Sequence, residues 1–200
     1  MEKTDNELML AAAADDMEAY NLLYQKYRKP LYNYILRHTL EAEASEDIFQ
    51  ETFLRLYRTR KSYQSTAKFS VFLYTIAHRL CINHAKKKQR WGFVKHLSDM
   101  VFGRDREDSP TVEETIADNE PLPVDMLVTG EMGEVLKNAL EKLSENHRTT
   151  FILYEIHGFQ YNEISDITGA NMGTVKSRLN NARKILRDLL SDYLKEEKNG

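Results

Sequence analysis

The sequence has no hydrophobic run approaching the roughly eighteen apolar residues that suggest a membrane-spanning helix. Its first stretch, MEKTDNELML, also lacks the basic and then apolar layout of a signal peptide. A single cysteine, Cys81, excludes an intramolecular disulfide and a thiolate-rich zinc site. These absences predict a cytoplasmic protein without membrane insertion, and we interpret Cys81 as a small buried hydrophobe.

Glycine and proline are also scarce, with eight and four residues in a chain of 200. That composition leaves little room for an all-β fold rich in turns, and it favours a helical protein of one domain or two small ones. Metal ligands are poorly placed, because His78 and His84 are six residues apart and lie on different helix faces, and no HExxH pattern occurs. We predict no metal and no cofactor.

Acidic residues are absent from one long block, residues 52–98, which carries 11 bases. The formal charge of the whole chain is −3, so the charges are separated into blocks. Residues 1–51 carry 11 acids and 5 bases, residues 99–168 carry 16 acids and 5 bases, and residues 169–200 carry 4 acids and 7 bases. Two separated basic blocks predict local phosphate binding by an acidic chain, although charge runs are often only solvated faces.

Apolar residues recur at helical spacing over most of the chain and predict an all-α fold. The predicted helices span residues 6–14, 16–39, 44–58, 68–89, 130–142, 144–158, 160–168 and 172–194. From about residue 97 to 128 the periodicity fades, and this segment holds three of the four prolines and an excess of acid. We predict two small helical domains, residues 1–96 and 130–200, joined by a flexible acidic linker at 97–129.

The stretch YNEISDITGANMGTVKSRLNNARKIL, residues 161–186, has the pattern of a helix-turn-helix. Gly169 can supply the positive φ of the turn, and Asn171 can cap the second helix. The predicted buried side of that helix is Val175, Leu179, Ala182 and Leu186. The predicted DNA-binding side, with amides, hydroxyls and cations, is Thr174, Lys176, Ser177, Arg178, Asn180, Asn181, Arg183 and Lys184. The alternative is an αα-hairpin whose polar face is only solvated.

Two earlier helices carry outward faces of distinct character. In the helix over 44–58, the stripe opposite the apolar one holds Asp47, Gln50, Glu51 and an apolar Leu54, which indicates a docking surface. In the helix over 68–89, the predicted inward residues are Phe69, Phe72, Leu73, Ile76, Leu80 and His84. Its other side is Thr75, Arg79, Asn83, Lys86, Lys87 and Arg90.

In this order and spacing, the motifs resemble the bacterial RNA polymerase sigma factors of the extracytoplasmic-function (ECF) group, sigma-70 family, over nearly the whole chain. DIFQETFLRLYRT is similar to the helix that binds the polymerase β′ clamp, and FSVFLYTIAHRLCINHAKKKQR to the helix that engages the minus-ten promoter element. The helix-turn-helix is similar to the domain that reads the minus-thirty-five element. The resemblance implies a dissociable, non-enzymatic initiation subunit. Its implied partners are core polymerase (β′ clamp and β flap), promoter DNA and an anti-sigma factor.

The resemblance also implies roles for individual residues. Asp47, Gln50, Glu51, Phe53 and Leu54 would bind core polymerase. The minus-ten element would be recognised and melted by residues of the acid-free block, namely Tyr63, Gln64, Ser65, Lys68, Arg79, Asn83, Lys86, Lys87 and Arg90. Bases of the non-template strand would be flipped out into pockets that the loop residues help to line. The acidic linker would mimic a polyanion in the polymerase channels, or else serve as a solvated tether.

Departures from the family pattern leave the preferred promoter open. Phe72, Arg79 and Asn83 stand where tryptophan, asparagine and aspartate are usual, Asn181 replaces an arginine, and Gln160 replaces a Ser or Thr cap. One rival reading is a helix-turn-helix regulator that acts without polymerase, which leaves the 44–58 surface unexplained. Another is an enzyme such as a recombinase or nuclease, but the basic block contains no carboxylate for metal chemistry.

Overall fold

The computed structural model describes the backbone of residues 3–102 and 131–199, and the side chains of residues 3–91 and 135–189. All regular structure in these ranges is helical, which confirms the predicted fold class. The helices are α1 Asp5–Ala13, α2 Met17–Thr39, α3 Ala42–Thr59, α4 Phe69–Phe102, α5 Glu131–Glu141, α6 Glu145–Phe151, α7 Tyr161–Thr168 and α8 Met172–Asn199. A 3-10 turn, Arg60–Ser62, follows α3, and a wide π turn, Ile152–Ile156, follows α6. Most of the predicted linker, residues 103–130, lies outside the described residues.

Polar side chains and glycine set the ends of several helices. Thr4 and Glu7 form a capping box at α1, where the Glu7 carboxylate accepts a hydrogen bond of 2.7 Å from the Thr4 backbone N–H. Ser144 caps α6. The turn after α6 closes at Gly158, whose φ of +70° is a conformation that glycine adopts without steric cost.

Helix α4 is longer than the sequence predicted. The expected end was residue 89, but the helix continues to Phe102, beyond the predicted domain boundary at residue 96. The apolar period fades earlier because residues 86–91 are all exposed, so this part of the helix has no core to face. The helix continues through Gly92, because one glycine in a helix interior lowers helix stability by only about 1 kcal/mol relative to alanine.

Each half of the chain has its own apolar centre. In α1–α4 the fully buried side chains include Leu23, Ile35, Leu56, Phe69 and Leu73. In α5–α8 they include Leu140, Ile152, Leu153, Ile164, Val175 and Leu179. Burying one such side chain contributes about 1.5–3 kcal/mol, so each set can hold a small helical domain together.

The two helical domains are packed directly against each other. The contact, which we call the interdomain cluster, consists of Tyr34, His38, Tyr74, His78, His157 and Phe159. The Tyr74 hydroxyl and His157 Nδ1 share a hydrogen bond of 3.1 Å, and the rings of Tyr74 and Phe159 are 4.8 Å apart. The Arg148 guanidinium donates to the backbone carbonyl of His38 at 2.9 Å. The π turn after α6 brings His157 and Phe159 to this contact.

Candidate nucleic-acid interface

Helices α7 and α8 form the helix-turn-helix that the sequence predicted. Gly169 ends α7 with a φ of +73°, and its N–H donates to the Ser165 carbonyl at 2.8 Å. The Asn171 side chain then accepts a hydrogen bond of 2.8 Å from the Thr174 N–H, which confirms Asn171 as the cap of α8. These two ends fix the angle between the helices and hold the start of α8 outward.

The burial pattern along α8 follows the predicted division. Val175, Leu179, Ala182 and Leu186 are all buried. The candidate DNA-binding residues with exposed side chains are Lys176, Ser177, Asn180, Asn181 and Lys184, and those that are half-buried are Thr174, Arg178 and Arg183. One face of α8 therefore offers amides, a hydroxyl and cations to a ligand.

Arg183 is already engaged within the domain. Its guanidinium binds the Glu155 carboxylate at 2.6 Å and lies over the Tyr154 ring at 5.3 Å. Lys176 is held more loosely, with its ammonium group 5.7 Å from the centre of the Tyr161 ring. Arg183 would have to give up a charge-assisted hydrogen bond to reach a phosphate, whereas Lys176 would not.

A second polar face follows the length of α4. Arg79, Asn83, Lys86 and Arg90 recur at i, i+4, i+7 and i+11, so they lie in one line along the helix, and all four are exposed. Lys87 is exposed beside that line. Two of the predicted inward residues, Phe69 and Leu73, are fully buried, and Phe72 is half-buried. The outward line is thus a continuous cationic strip on a well-anchored helix.

The outer face of α3 differs in character from the two cationic faces. Asp47, Gln50 and Leu54 are exposed on this face, with 42% of Leu54 accessible. Glu51 is half-buried and binds Arg55 at 2.6 Å. Phe53, in contrast, is turned into the core, so we remove its side chain from the predicted polymerase-binding set and assign it to holding α3 in place.

Comparisons with known proteins identify the family of the chain. The chain matches the family described as Sigma-70 region 2 over residues 23–91 and the family described as Sigma-70, region 4 over residues 133–186. It is also 30% identical over 177 residues to the ECF RNA polymerase sigma factor SigW of Bacillus subtilis, covering 88% of this chain and 91% of that protein. The chain belongs to the ECF sigma factors of RNA polymerase. Such a factor binds core polymerase and promoter DNA, and it directs promoter-specific initiation without being an enzyme itself.

Two further comparisons support this assignment. The sigma factor is 26% identical to the RNA polymerase sigma-H factor of Pseudomonas aeruginosa, over 98% of both chains. Its fold resembles that of the sigma factor RpoE of Bartonella quintana, solved in complex with the anti-sigma factor NepR, with a TM-score of 0.62 and 23% identity. That match covers 86% of this chain and 96% of the other. In the described part of the sigma factor no helix is long and apolar enough to cross a bilayer.

The loop before α4 divides into a buried and an exposed part. Tyr63 is buried, donates to the Asn6 side chain at 3.1 Å, and packs edge-on against Phe72. Gln64 and Ser65 are exposed, although Ser65 accepts a hydrogen bond of 2.7 Å from Asn6. The prediction that Tyr63 lines a pocket for a base therefore does not fit its packing, because the ring serves the core of the sigma factor.

One candidate DNA ligand, Lys68, touches the other domain. Its ammonium group lies 2.8 Å from the Glu163 carboxylate of α7. Glu163 also accepts a hydrogen bond of 2.8 Å from the Gln160 N–H at the start of α7. Burial raises the pKa of Glu163, but Lys68 and the Gln160 N–H outweigh this effect and lower the pKa overall. The ion pair thus places a carboxylate where a phosphate could bind Lys68.

Sequence reasoning did not find the interdomain cluster of the sigma factor. Burial, together with the charge of Arg37, lowers the pKa of His157 to about 4. Burial, together with the charges of Arg178 and Arg79, lowers the pKa of His78 to about 4. Burial and the neighbouring His78 lower the pKa of His38 to about 3. All three histidines are therefore neutral at neutral pH. The spacing of Tyr74 and His78 at i and i+4 was the only signal for this second buried face of α4.

Proposed function

We propose that residues 1–96 of this sigma factor bind core polymerase and the minus-ten element, and that residues 130–200 bind the minus-thirty-five element. The observation that carries the proposal is the presence of exposed cationic faces on two different domains, on α4 and on α8. The α3 face, with an acid, an amide and an apolar side chain, is suited instead to a protein surface. We propose that this surface binds the β′ clamp, as the resemblance implies, and that the β flap is a further contact on core polymerase.

At the minus-ten element, the strip on α4 would bind phosphates and base edges of the promoter. The exposed cations Arg79, Lys86 and Arg90 would keep the displaced strand from pairing again. Unstacking each base step costs a few kcal/mol, which contacts with Asn83 and the exposed loop residues Gln64 and Ser65 would help to offset. Opening the duplex in this way makes and breaks no covalent bond, so no residue needs a catalytic role.

Both elements cannot be bound while the domains remain packed together. The two elements are named for positions about 25 base pairs apart, which is roughly 85 Å at about 3.4 Å per base pair. A compact chain of this length has a radius of gyration of about 17 Å, and its longest helix, α4, measures about 50 Å, so the packed chain spans roughly 50 Å. We propose that the interdomain cluster and the Lys68–Glu163 pair must separate before initiation.

Because the two domains must separate before initiation, a protein that keeps them together would act as an inhibitor. The solved RpoE of Bartonella quintana is in complex with an anti-sigma factor. We propose that this chain has a comparable inhibitor and acts in the cytoplasm, where polymerase is found.

Binding to core polymerase tests the proposal against its rival, a regulator that acts without polymerase. The double variant Gln50→Ala, Leu54→Arg should lose retention on immobilised core polymerase, because it places a charge at the centre of the α3 face. Leu10→Arg is a matched control, since Leu10 is exposed to a similar extent on α1, 46% against 42% for Leu54. Equal retention of wild type and the double variant would favour the rival.

A further inference from the structure

Trp91, the only tryptophan of the chain, is the most exposed of the large apolar side chains in the described residues, at 66%. It lies on α4 one position after Arg90 and forms one wall of a shallow groove against the start of α3. The charged and titratable residues that line the groove are Glu41, Glu43, Asp47, His84, Lys87 and Lys88. No aromatic or cation–π contact joins Trp91 to another described side chain. The fold of residues 3–91 therefore gives no reason for an indole at this site.

The charges beside Trp91 select the kind of partner. Lys87 is one helical turn before Trp91 on the same face, and neither Lys87 nor Arg90 forms an ion pair with a described residue. Lys88 is instead bound to Glu41 across the groove, and His84 Nε2 lies 3.4 Å from the same carboxylate. The free cations thus lie on the α4 side, in line with Lys86 and Asn83, and the acids lie on the α3 side.

An aromatic ring next to free cations is the arrangement that binds single-stranded nucleic acid. A base stacks on the ring while the cations hold the phosphates on either side. The acids Glu43 and Asp47 would repel a strand from the α3 wall and keep it on α4. Since the site continues the cationic strip of α4, a strand held there would already be in contact with the minus-ten surface.

We propose that Trp91 stacks on an unpaired base of the promoter strand whose phosphates are bound by Lys87 and Arg90. This proposal rests on the minus-ten role proposed above for α4 and extends that surface by a turn of helix. Because Trp91 is exposed even while the domains are packed together, the site is open in the free chain.

The first test uses the full free chain, in which all tryptophan fluorescence comes from Trp91. A single-stranded oligodeoxynucleotide should quench this emission. A strand of the same length that lacks bases should bind through its phosphates and leave the emission nearly unchanged. Equal quenching by both strands, or none by either, would overturn stacking.

The second test measures affinity for the same oligonucleotide by competition with a labelled strand. Trp91→Ala should weaken binding by about 5- to 160-fold, as expected for the loss of one stacked base, and Trp91→Phe should retain most of the affinity. Lys87→Ala should make the slope of log affinity against log salt concentration less negative by about 0.7, because one phosphate contact is lost. Leu10→Ala, at an exposed apolar position on α1, should bind like wild type.

Two outcomes separate this proposal from the function on which it rests. If Trp91→Ala binds the oligonucleotide normally but is not retained on core polymerase, the indole contacts a protein and the stacking proposal is wrong. If the wild-type chain gives quenching but no promoter-specific transcripts with core polymerase, the proposed function fails and base stacking by Trp91 stands.

Discussion

A covalent link between the domains should abolish initiation, because both promoter elements cannot then be reached. Lys68 and Glu163 are suitable positions, since their charged groups are 2.8 Å apart across the domain interface. In the double variant Lys68→Cys, Glu163→Cys, a short bismaleimide can join the two new thiols. Cys81 should not compete, because it is 1% exposed and burial raises the pKa of its thiol.

The expected effect is large because the geometric shortfall is large. The linked chain spans roughly 50 Å and the two elements are roughly 85 Å apart, which leaves roughly 35 Å that no side chain can bridge. Transcription from a two-element promoter should therefore fall in direct proportion to the fraction of linked protein. Glu163 is buried and also accepts the Gln160 N–H at the start of α7, so the Glu163→Cys single variant measures what the loss of this carboxylate alone costs.

The assay is run-off transcription with core polymerase and purified linked or unlinked double variant. The unlinked double variant and the two single cysteine variants treated with the reagent serve as controls. The variants that lack Lys68 lose one candidate phosphate contact, so the linked protein is compared with the unlinked double variant, which should retain most of the activity that linking removes. Full activity of the linked protein would refute the reasoning, since it would mean that the packed arrangement is compatible with initiation.

Two further predictions concern the interdomain cluster and α8. His157 has a pKa of about 4 in the folded chain, below the value of about 6.5 expected when unfolded, so its contribution to stability is complete above about pH 6.5 and is lost as the pH falls towards 4. At about pH 5 the free energy of unfolding should be lower by about 2 kcal/mol than at neutral pH because of this group. In urea unfolding, the free energy of unfolding of His157→Gln should fall with pH by about 2 kcal/mol less than that of wild type. An equal fall in both proteins would contradict the burial of His157. Lys176→Ala should weaken binding to the minus-thirty-five element, since an exposed cation is removed from the face of α8. The slope of log affinity against log salt concentration should become less negative by about 0.9. An unaltered footprint at that element would count against the role of Lys176.

Local pattern was sufficient where the buried side of a helix packs within its own domain. In α8 the spacing of Val175, Leu179 and Ala182 predicted the buried side, and the polar side followed from it. Gly169 and Asn171 marked the turn because each has a specific backbone role that few other residues can fill.

The sequence could not predict contacts that depend on how the domains are placed. Tyr74 and His78 lie outside the apolar stripe of α4, so the sequence predicts that their face of the helix is exposed to solvent. They are buried instead, because the second domain covers that face. Tyr63 and Phe53 were assigned to binding surfaces by their position in a motif, but their rings fill the first core. A motif places a residue on a helix or loop, and only the packing decides whether its side chain faces a partner.

Run-off transcription on fragmented genomic DNA with core polymerase, with and without the purified chain, tests the proposed function directly. We expect discrete transcripts that require the chain and that disappear with the Gln50→Ala, Leu54→Arg variant. A transcript pattern identical to that of core polymerase alone would contradict the claim that these two domains direct promoter-specific initiation.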